Sequence, residues 1–116
     1  MSGRRNRKRG YEVIYWRDIP AQITATTPSG RGEKIMLEPR FQHAIDRAAH
    51  VAGLTETQLY VEQWRRETTT VLDDAATAAR AAAQQLEQQF HKTRLEAIVK
   101  NGGLEPQDEK EDLHYD

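Results

Sequence analysis

His43, His50, His91 and His114 are the side chains of this sequence with the widest chemical range. His43 and His50 stand seven positions apart, on a similar face of any helix, but two turns hold them about 10 Å from each other, too far to share one ion. A zinc pair on a helix needs four-residue spacing, so no metal site is expected. Asp46 and His50 do have that i,i+4 relation, which brings an acid and an imidazole together on a helix surface. A catalytic dyad would need a nucleophile and an oxyanion donor as well, and no local signature singles out any serine or threonine. A weak helix-stabilising pair is the expectation. Gly30-Arg31-Gly32 resembles a fragment of a phosphate loop but lacks the further glycines, the Lys-Ser/Thr pair and the helix that follow in a complete one. It reads as a hairpin connection. With no cysteine in 116 residues, disulfides, thiolate-bound zinc or iron–sulfur clusters and thiol nucleophiles are excluded for this chain. No catalytic residue and no cofactor is assigned.

The charges are polarised along the chain. Residues 1–10 carry five basic side chains (Arg4, Arg5, Arg7, Lys8, Arg9) and no acid; residues 104–116 carry six acidic ones against Lys110, and the whole sums to −1. The basic arm could neutralise phosphates, which makes nucleic acid a candidate partner through Arg4 to Arg9. A reader of single strands would add exposed aromatics, whereas Tyr15 and Trp16 fall in a segment expected to be buried. Both ends are polar enough to be disordered in isolation, leaving 11–103 as the folded domain. The absence of any long apolar run argues against a membrane span, and the basic start runs into Tyr11-Glu12-Val13 rather than an uncharged apolar segment. The expected location is the cytoplasm.

The elements that must position these residues follow from apolar periodicity. Tyr11 to Trp16 is aromatic and β-branched with apolar groups on both parities, a strand covered on both sides. Asp18-Ile19-Pro20 marks a turn or bulge. Ala21 to Thr27 alternates with period two and should bury Ala21, Ile23 and Ala25. A loop at 28–32 leads to a short third strand, Lys34 to Leu37. Pro39 opens an amphipathic helix with Phe41, Ala44, Ile45, Ala48 and Ala52 on one face, stopped by Gly53. A capping box at Thr55 and Gln58 would start a helix, yet Leu59 to Trp64 alternates, and a strand over 59–66 is the reading adopted. Asp73 or Asp74 caps a last helix from Ala75 to Phe90, breaking near His91 before Lys92 to Lys100, with Leu95, Ile98 and Val99 buried. The alanine stripe at 79, 82 and 83 suits close helix packing, either on the sheet or in a homo-oligomer.

Tyr15 to Gln22, Phe41 to Ala52, Tyr60 to Arg66 and Ala83 to Gly103 together resemble the bacterial "virulence factor" domain family, related to a segment of conserved virulence factor C. Tyr15-Trp16-Arg17-Asp18-Ile19-Pro20-Ala21-Gln22 is the most distinctive run. The resemblance covers about 11–103 and carries no agreed active site. Longer relatives join the domain to regions resembling iron–sulfur scaffold proteins, and short members accompany corrinoid and folate one-carbon genes. This implies a larger bacterial protein as partner. It also directs attention to Arg17 and Asp18 in a strand-ending turn and to Arg65 and Arg66 on a later strand. With Tyr15, Trp16 and Trp64 they form the candidate binding cluster, whose alternative is a structural salt bridge.

The expected fold is α+β: a small antiparallel sheet, made of an N-terminal hairpin and a later strand, packed by two main helices. The expected function is a non-enzymatic accessory or interaction protein. A small enzymatic or ligand-binding domain using the Arg/Asp cluster, and a nucleic-acid binder using the basic arm, are the alternatives.

Overall fold

A computed structural model describes residues 9–28, 30–72 and 74–106. The basic arm up to Lys8 and the acidic tail from Gln107 lie outside the described residues. Eight elements follow in order: β1 (Gly10–Trp16), β2 (Ile19–Thr27), β3 (Gly30–Met36), α1 (Pro39–Ala52), α2 (Thr57–Val61), β4 (Trp64–Thr70), α3 (Ala75–Gln89) and α4 (Lys92–Lys100). The four strands form one antiparallel sheet in the order β3-β2-β1-β4. The architecture is α+β, as the alternation of strand and helix periods requires.

The β1–β2 ladder pairs Val13 with Ile23 and Tyr11 with Ala25, so these odd-numbered residues share one face of the sheet. The register then slips between Ile14 and Tyr15, and Tyr15 faces Pro20. This is the bulge that Pro20, lacking an N–H, imposes on a ladder. Ala21, Ile23 and Ala25 are buried as their alternation requires. The inner face is closed by α3, whose Ala75, Ala79 and Ala83 are buried and which packs on β1, β2 and β3. The alanine stripe is therefore spent on the chain's own sheet. Small side chains permit that close approach, and apolar area removed from water stabilises it by roughly 25 cal/mol per Å².

Helix α1 begins with Pro39 in its first turn and ends at Gly53, which adopts the left-handed conformation (φ 73) and donates its N–H to the end of the helix. It buries Phe41, Ala44, Ile45, Ala48 and Ala49. Asp74, not Asp73, caps α3, its carboxylate accepting from the N–H and hydroxyl of Thr77. His91 separates α3 from α4 and caps the latter, Nδ1 accepting from the Arg94 N–H. Leu95, Ile98 and Val99 of α4 enter the core.

The strand expected over 59–66 is corrected in two ways. Residues Thr57–Val61 form a short helix and the strand runs Trp64–Thr70 instead. The expected Thr55 cap is absent, because Glu56 is the capping residue and makes no side-chain bond. The alternation of Leu59 and Val61 marks no sheet face, since both remain exposed. Tyr60 is what the segment delivers, stacked on Trp16 with ring centroids 5.5 Å apart and edge-on to Trp64 at 6.0 Å. Among the described residues no helix is long and apolar enough to cross a membrane.

Candidate functional site

Arg17 and Asp18 make the two-residue connection between β1 and β2, and Arg17 takes a positive φ of 53. Two-residue hairpins favour left-handed conformations because these match strand twist, but a side chain there carries strain. The surroundings hold it. The Arg17 N–H donates to Gln63 O and the Asp18 N–H to Gly103 O. Arg17 Nε donates to Gln63 Oε1 at 3.0 Å and Nη1 to Gly102 O at 3.1 Å. Thus one side chain ties the β1–β2 turn to the segment entering β4 and to the turn leaving α4.

Asp18 completes the tie. Its Oδ1 receives Arg65 Nη2 at 3.1 Å and its Oδ2 the Glu105 N–H at 2.7 Å. Arg65 Nε donates to Arg17 O at 2.7 Å, its other nitrogen pairs with Glu67, and its guanidinium lies 4.3 Å from the Tyr15 ring centre. Burial works against the Arg65 charge, but Glu67 and Asp18 outweigh it and raise its pKa. Burial, then the Glu67 carboxylate, pushes the Tyr15 phenol up. Trp16 is fully buried, its Nε1 donating to Tyr60 O at 2.9 Å. Gly103 (φ 99) lies against it, so close that a Cβ would sit 2.8 Å from the Trp16 ring.

The expected binding cluster is therefore only partly assembled. Arg17, Asp18, Arg65 and Tyr15 converge, but the polar groups of Arg17, Asp18 and Arg65 are turned on one another, on Gln63 and Glu67, and on backbone groups. Trp16 has no surface to offer a ligand, Trp64 is half-buried, and Arg66 leaves the group altogether, reaching Glu12 at 3.4 Å on the other side of the sheet. The Asp46 carboxylate accepts from Gln42, four residues earlier. Among the described residues no three His, Asp or Glu side chains are grouped to hold a metal ion.

A second constellation went unnoticed in the sequence. Arg40, His43 and Arg47 recur along one face of α1, and Lys92 and Glu96 along one face of α4. They rim a groove of about 360 Å³ floored by Ala44, Leu95 and Val99. Arg47 and Glu96 bridge it as a bidentate pair, at 2.5 and 3.1 Å. The hydrogen bond from Arg47 lowers the Glu96 pKa and raises its own. The helical spacing of these charges was visible; that the two helices lie side by side was not.

Residues 14–99 match the virulence factor family. The chain belongs to that family. No curated protein and no solved structure matches it. Within the family match lie the Arg17–Asp18 turn and both walls of the α1–α4 groove, whereas Gly102, Gly103 and Glu105, which complete the junction, follow it.

Proposed function

We propose that this family member is a non-enzymatic accessory protein of the bacterial cytoplasm that docks a larger protein along strand β4. The free edge of that strand carries the reading. In an antiparallel ladder, alternate residues turn their N–H and C=O towards the partner strand and the others turn them outward. Val71 N–H donates to Arg9 O and Arg17 N–H to Gln63 O, which places residues 63, 65, 67, 69 and 71 on the inward set. Trp64, Arg66, Thr68 and Thr70 then present their backbone groups outward, β4 ends the sheet, and every residue from Arg65 to Thr70 is exposed. Such an edge accepts an added strand, with affinity from main-chain bonds and specificity from alternate side chains. Arg65, Arg66 and Glu67 guard one half against indiscriminate pairing. The threonines leave the other half open.

The internal saturation of Arg17, Asp18 and Arg65 weighs against the enzymatic alternative, because a catalytic group must be free to meet a substrate. The family resemblance directs the choice of partner to proteins of corrinoid, folate one-carbon or iron–sulfur chemistry. Co-purification from native lysate tests the reading. A partner should be retained by the wild type and lost with Thr68→Pro, which removes an outward N–H while keeping the ladder to β1. Thr69→Pro, which removes an inward one, should instead damage the fold. A chain recovered alone and monomeric from a host with intact neighbours, or a partner held equally by a folded Thr68→Pro, would overturn it.

A further inference from the structure

The α1–α4 groove has an electrostatic arrangement that the fold itself does not explain. Phe41 meets Phe90 near the starts of the two helices, Arg47 meets Glu96 midway, and Ala52 meets Gly102 at their ends. The helices are parallel, so their positive dipole ends lie together. Anionic side chains are favoured at such ends and cations are not. Neither helix has an acid in its first turn; Arg40 occupies that turn in α1, and Lys92 and Arg94 occupy it in α4.

Some of this charge is consumed. The Glu87 carboxylate accepts the Glu38 N–H, and Arg40 Nη2 donates to Glu87 O at 2.7 Å. Arg94 turns away to Glu105 and to Gln89 O. Arg47 and Glu96 cancel. What remains faces the groove: among the described residues the side chains of Lys92 and His43 have no hydrogen-bond or ion-pair partner. Arg40 also lines the groove, its buried Nε ion-paired with Glu38 Oε1 at 3.3 Å. Below these groups the floor is apolar. Cations that cost stability where they stand, above an apolar floor, mark a site shaped by something other than folding.

We infer that the groove binds a small organic anion, a short apolar body ending in one carboxylate. The carboxylate meets Lys92 and Arg40 beside the start of α4, and the apolar body lies over Ala44, Leu95 and Val99. The volume lies at the lower end of the range for small-molecule sites. Glu96 on the rim disfavours a doubly charged head group, and the Arg94 N–H at the start of α4 is already taken by His91, which removes one of the amides a phosphate would use.

Amide-resolved NMR titration of the full chain with octanoate, octanol and inorganic phosphate tests this. Octanoate should give saturable shifts confined to residues 40–47 and 92–99, with octanol and phosphate weaker by about tenfold or more, the value of one charge-assisted contact. Lys92→Gln should weaken octanoate about tenfold. Lys100→Gln, outside the groove, and Thr68→Pro, which tests only the docking edge, should leave it unchanged. Equal responses to octanoate and octanol, saturable phosphate binding without octanoate binding, or an unaltered Lys92→Gln would each overturn the assignment.

Discussion

The junction around Arg17 and the groove between α1 and α4 hold similar side chains and use them in opposite ways. At the junction, Arg17, Asp18 and Arg65 bond to Gln63, Gly102 and Glu105 and to each other, so that charge joins three stretches of chain distant in sequence. In the groove, the side chains of Lys92 and His43 have no partner among the described residues, and the cations crowd the helix ends that favour them least. A charged cluster is therefore no site by composition alone. What sets Lys92 and His43 apart from the junction is that no backbone carbonyl or carboxylate of the same chain engages their side chains among the described residues.

That contrast can be broken most forcefully at the aromatic centre of the junction. Trp16→Ala removes a fully buried side chain stacked on Tyr60 and should cost about 3–5 kcal/mol in denaturant unfolding. Gly103→Ala should follow at roughly 2 kcal/mol, because a Cβ there meets the Trp16 ring in a left-handed backbone. Arg17→Ala should lose about 1–3 kcal/mol by leaving Gln63 and the Gly102 carbonyl without their donor. Arg17→Lys should recover only part of this, since an ammonium cannot serve both acceptors in the same fork geometry. A stable Arg17→Ala that lost a ligand would reverse the structural reading of the junction.

The groove should respond differently. Lys92→Gln should leave the melting temperature unchanged or slightly raised, because it removes a cation from a helix N-terminus; a clear loss of stability would erase the distinction between the two regions. The smallest expected effect concerns the Arg47–Glu96 bridge. Glu96 has a lowered pKa in the folded chain, so its contribution is present above the ordinary glutamate range, about pH 4–5, and fades as pH falls through the folded value. Glu96→Gln should flatten that part of the acid limb in melting experiments at stepped pH. An unchanged limb would mean the bridge is too solvent-exposed to matter.

Much of this was legible in the sequence because it is local. The alternation at Ala21, Ile23 and Ala25 specified the inner face of β2, Pro39 and Gly53 bounded α1, the Asp73-Asp74 pair and His91 marked later helix starts, and Asp18-Ile19-Pro20 announced a turn or bulge. The strand expected over 59–66 starts only at Trp64, because Leu59 and Val61 alternate like a strand while lying on the exposed side of a short helix. Propensity in so short a window is weak, and Tyr60's contact with Trp16 decides the outcome.

By itself, then, the sequence determined the α+β class, the extent of the principal helices, the separation of charge into two ends, and the exclusion of cysteine chemistry, since each depends on neighbours within a few turns. Tertiary structure alone decided that Arg66 leaves its companion Arg65 for Glu12, that Gly103 packs on Trp16, and that α1 and α4 bring their cations together. Those facts depend on contacts between residues tens of positions apart. The free energy of a charge is set by the groups the fold places beside it.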